Sequence, residues 1–64
     1  MLATIKNIIV NRSPPGFDVD IIRVNSAGDY QGFVKTLCGA RTEAEANVLA
    51  EQKSKELNIK RYHK

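Results

Sequence analysis

In the segment "RTEAEANVLAEQKSKELN", Thr42 stands three residues before Glu45, and this spacing constrains the chain more than any other feature. It is the pattern of a capping box, in which each side chain satisfies a free backbone N–H of the other at the start of a helix. Glu43 and Glu45 fall where the positive end of the helix dipole favours carboxylates. The residues that follow are almost all good helix formers. Their apolar stripe is Ala46, Leu49, Ala50 and Leu57, with the Lys53 stem lying along it. The two alanines let such a helix approach a sheet closely, and Asn58 is the expected stop.

Everything before this helix reads as strand. "TIKNIIVN", Thr4 to Asn11, is short and rich in Ile and Val. "RSPPGFD" then reads as a loop, because two prolines supply no ladder donors and a glycine frees the backbone. In the second strand, Phe17 to Asn25, the residues Phe17, Val19 and Ile21 alternate with Asp18 and Asp20. At Ile21–Ile22 the apolar phase moves to Ile22 and Val24, which means either a β-bulge or a strand apolar on both faces. "SAGD" is a tight connection in which Gly28 is available for a positive φ. The third strand runs from Tyr30 to Cys38. Alternation puts Tyr30, Val34, Thr36 and Cys38 on one side, and Gln31, Phe33, Lys35 and Leu37 on the other.

The predicted fold is therefore α+β, a three-stranded antiparallel sheet packed against one C-terminal helix. It forms a single domain over 1–59, followed by a basic tail, 60–64. A chain of 64 residues buries only about 60% of its unfolded surface. The core is then one thin layer, and an enzyme cleft would compete with it for the same side chains. One helix covers one face of such a sheet, yet the second and third strands carry apolar residues on both. Either bulges and loops tuck the surplus in, or Ile22, Val24, Phe33 and Leu37 form a docking face for a partner protein or a second copy.

No catalytic residues are assigned. Cys38 has no base near it in sequence, the one histidine, His63, lies in the tail, and a small buried apolar role suits the thiol best. Neither metal nor cofactor is implied, since ligands at suitable spacing are missing and Asp18 with Asp20 reads as a solvated strand edge. Gly28 and Gly32 belong to a hairpin rather than a phosphate loop. Glu43 and Glu45 would repel a phosphate from the helix N-terminus. No apolar run approaches a membrane span and Lys6 interrupts the N-terminal one, so no membrane partner is expected; with a single cysteine this points to the cytoplasm.

The net charge of +3 permits a nucleic-acid partner. Candidate contacts are Arg23 and Lys35 on strands, Tyr30 and Gln31 at the hairpin, Arg41 at the strand–helix junction, and Lys60, Arg61 and Lys64 in the tail. A β-hairpin can enter the major groove, where Arg, Lys and Gln read base edges. The competing reading is that these residues solvate an open sheet face, and that the tail complements the negative helix end.

"FVKTLCGARTEAEA" resembles two families. One is the arm-type DNA-binding domain of tyrosine recombinases, in which three antiparallel strands lead into a helix through a pattern like "F-x-T-x-x-E-A". Thr42, Glu45 and Ala46 match its end, while Gly39, Ala40 and Arg41 stand where the family has its aromatic. That resemblance implies that Arg23, Tyr30, Gln31 and Lys35 lie in a DNA groove. The other is the HicB-like antitoxin domain, with "G-x-T-x-x-E-A" after a strand; here Gly39 and Thr42 are one residue further apart. It implies a sheet that docks another chain. The expected function is non-catalytic DNA binding through the sheet face, in a phage or mobile-element accessory protein. The alternative is a protein-binding module, an antitoxin or phage-encoded inhibitor, docking through an apolar sheet face. Which face the helix covers separates the two.

Overall fold

The structure, a computed structural model that describes residues 4–62, contains β1 (Ile5–Ser13), β2 (Gly16–Val24), β3 (Tyr30–Ala40) and α1 (Glu43–Leu57). The strands form one antiparallel sheet in the order β1-β2-β3, and the helix packs on one face. This is the α+β arrangement expected. His63 and Lys64, placed in the tail, lie outside the described residues.

β1 extends past Asn11 to Ser13, because the prolines occupy the two-residue turn itself. Ser13 pairs with Gly16, and the Pro14–Pro15 peptide between them is cis. A turn of two residues needs no ladder donors, so the missing proline N–H groups cost nothing there. Gly16 is required by packing: a Cβ there would collide with the Ala40 carbonyl oxygen. At the other hairpin the Asn25 side chain accepts from the N–H groups of Ala27 at 3.0 Å and Asp29 at 2.9 Å. Gly28 completes the turn at φ +87°, a conformation that strains any side chain.

β3 departs from simple alternation. β2 is continuous through the ladder, but Gln31, Val34 and Leu37 are extra residues on β3, at register shifts after Arg23, Ile21 and Val19 of β2. The phase change at Ile21–Ile22 is therefore not a bulge in β2 but the second alternative, a strand apolar on both faces, with Ile21 toward the helix and Ile22 and Val24 away from it.

The helix starts where predicted, with the Thr42 half of the expected capping box formed. The Thr42 hydroxyl accepts from Glu45 N–H at 3.1 Å, and Asn58 closes the far end in the left-handed conformation, with its N–H on the Ser54 carbonyl. Ala46 and Ala50 bring α1 down onto Ile8, Val19 and Ile21, all buried. Val10, Phe17, Val34, Leu37, Cys38, Leu49 and Ile59 pack around this cluster. Leu57 is a correction, being 42% exposed. The turn at Asn58 ends the helical phase and returns Ile59 to the core in its place.

The end of the chain is not a free tail as far as Tyr62. It runs along the outer edge of β1, where Ile8 N–H donates to the Lys60 carbonyl at 2.9 Å and Tyr62 N–H to the Ile8 carbonyl at 2.7 Å. No helix among the described residues is long and apolar enough to cross a membrane.

Candidate binding faces

Because β2 is unbroken, its residues divide cleanly between the two faces, and the register carries that division to its neighbours. Val19 and Ile21 face the helix. Asp18, Asp20, Ile22 and Val24 therefore face the opposite way, toward no further element. Opposite them stand Asn11, Ile9, Asn7 and Ile5 on β1, and Gly39, Thr36, Phe33 and Tyr30 on β3.

None of these open-face strand residues is Lys or Arg. Ile22 is 1% exposed and Val24 2%, since side chains from both flanking strands stand beside them. The rim residues are exposed instead: Phe33 56%, Tyr30 53% and Ile5 51%. Toward the Pro14–Pro15 turn the face becomes acidic. Asp20 is buried, and its Oδ2 accepts from Asn11 Nδ2 at 2.7 Å. Its Oδ1 is equally buried and has no hydrogen-bond partner. Such a group costs on the order of 1–3 kcal/mol, and more when charged.

This arrangement rearranges the residues read as sites. Phe33 and Lys35 do not share a face, because Val34 is an extra residue between them: Phe33 pairs with Ile22, and Lys35 with Ile21 on the helix side. Leu37 packs against the helix-side core, so of the four proposed docking residues only Phe33 presents a large area. Ile22 and Val24 lie on the face but underneath its rim.

Of the residues read as DNA contacts, Arg23 lies with Lys35 on the helix side, Tyr30 lies on the open face, and Gln31 is the exposed bulge residue. Arg41 follows Ala40, at the end of the ladder away from Arg23, roughly 20 Å off by strand rise. Lys60 is exposed beside β1. Arg61 is engaged internally, donating to Glu51 Oε1 at 3.2 Å and to Asn47 Oδ1 at 2.6 Å. It ties the chain end to the helix, so it does not extend from a free tail.

Three residues escaped the sequence reading. Ile5 lay outside the suspected apolar set because only the second and third strands showed two apolar faces. Lys6 was treated as an interruption, although it pairs directly with Arg23. Asp20 read as a solvated edge, whereas its position on the central strand buries it. Among the described residues no group of three or more His, Cys, Asp or Glu side chains gathers as a metal site, and Cys38 is a half-buried free thiol. Comparison with protein-family models, curated proteins and solved structures finds no match to the chain.

Proposed function

We propose that this chain is a non-catalytic binding protein that docks another protein through the open face of its sheet. The observation that carries the reading is the apolar rim: Ile5 and Tyr30 flank Val24 in one row and Phe33 stands beside Ile22 in the next on the same face, each more than half exposed, on a face without a strand cation. Aromatic side chains around a buried apolar floor are the kind of anchors that interfaces use. Asp18, half-buried at the acidic end of the face, favours a partner that brings a cation beside its apolar side chains. Neutralisation of a partner protein, which the HicB-like resemblance implies, is one use of such a face.

The test compares three immobilised baits: wild type, Phe33→Ser and Val48→Ser. Val48, on the helix, is 57% exposed and serves as the matched apolar control. The expected result is a protein held by wild type and Val48→Ser but lost by Phe33→Ser. Its footprint, mapped by amide shifts, should cover Ile5, Tyr30 and Phe33. Equal capture by Phe33→Ser, or a footprint on the helix, contradicts the reading.

A further inference from the structure

The helix side of the sheet carries a different surface at the end where β2 meets β3. Lys6 on β1, Arg23 on β2 and Gly32 on β3 form one row in register across all three strands. Lys35 stands two pairs along, the next pair on this side of the sheet, opposite Ile21. Lys6, Arg23 and Lys35 are all exposed. Like charges directly opposite each other in a sheet are destabilising, so the Lys6–Arg23 pair works against the fold unless an anion answers it.

The described residues do not supply that anion. Their ion pairs are Lys53–Glu56 and Arg61–Glu51, both made by the helix. Asp18 and Asp20 face the other way, Glu43 and Glu45 begin the helix, and Asp29 lies in the loop beyond Val24 and Tyr30. Gly32 adds a second observation. A Cβ there would meet nothing within 4 Å, so the third place of the row is open space beside Arg23. A strand glycine marks a bulge or a place where a ligand approaches closely; Gly32 sits beside the Gln31 bulge and also leaves room for a ligand next to Arg23.

We infer that the Lys6–Arg23–Gly32 row, with Lys35, grips the phosphodiester backbone of a nucleic acid. Neighbouring strands lie about 4.8 Å apart, so Lys6 and Arg23 are adjacent cations, and Lys35 adds a third further along the same side. No large apolar side chain stands in the row, which suits evenly spaced point charges better than the mixed surface of an acidic peptide. Contacts to phosphate position a nucleic acid without reading its sequence. The inference is independent of the docking face and stands if that reading fails.

The test is fluorescence anisotropy with labelled duplex DNA and duplex RNA of mixed sequence. Three phosphate contacts predict about a 40-fold loss of affinity between about 50 and 200 mM salt. Gly32→Glu sets a carboxylate opposite Arg23. It is expected to weaken binding by about 10-fold or more, flatten the salt slope and leave the melting temperature equal or higher. Lys6→Gln, at an exposed site, should weaken binding without unfolding, while Arg12→Gln, at the other end of β1, should change it less than about twofold. Binding of either duplex with this pattern supports the inference. No binding of either duplex at low salt, unchanged binding by Gly32→Glu and Lys6→Gln, or equal competition by polyglutamate overturns it.

Discussion

On one side of the sheet, Ile8, Val19 and Ile21 are sealed by Ala46 and Ala50; on the other, Ile22 is as well buried with no element above it. The difference lies in what does the burying. On the helix side a whole element descends, and its removal would expose the core. On the open side, taller neighbours on β1 and β3 flank the central strand and remain half exposed themselves. The first face is committed to holding the fold, whereas the second has a buried floor and an unspent apolar rim. Charge follows the same division: the open face holds Asp18 and Asp20, and the helix side holds Lys6, Arg23 and Lys35.

The comparison makes graded predictions for denaturant unfolding. Ile8→Ala should cost most, about 2–5 kcal/mol, because the helix prevents the cavity from collapsing. Ile22→Ala removes the same side chain from the open side, where the rim can settle inward, and should fall at the low end, about 2 kcal/mol. Equal losses at the two sites would mean that the open face is packed as rigidly as the core. Asp20→Asn should raise stability by about 1 kcal/mol, since it removes a buried charge that has a partner for only one of its oxygens. A loss of that size would reveal a favourable role for the carboxylate within the isolated fold.

How far the sequence reveals this division can be followed residue by residue. Thr42, Glu45, the two alanines and Asn58 act through their immediate neighbours, and they read correctly. The strand order read correctly for the same reason. The faces of β3 did not, because its three extra residues are set by how the strand follows a twisting partner, which period-2 counting cannot see. The Lys6–Arg23 pair was hidden by the first hairpin. Reading "RSPPGFD" as a loop leaves the register open, whereas a turn confined to the two prolines sets Ser13 against Gly16 and hence Lys6 against Arg23. Arg61 was read as part of a free tail because its contacts depend on a chain end that folds back along β1.

The smallest stability effect carries the most weight. Phe33→Ser removes the most exposed large apolar side chain of the open face; because the ring also flanks Ile22, it should lower unfolding free energy, but by less than about 1 kcal/mol. The same variant should lose the partner that wild type and Val48→Ser retain. Measuring both properties on this one protein tests the division of the two faces most directly. Near-wild-type stability with lost docking is the predicted result. A loss of several kcal/mol would place the ring in the core, and retained docking would leave the open face without the role proposed for it.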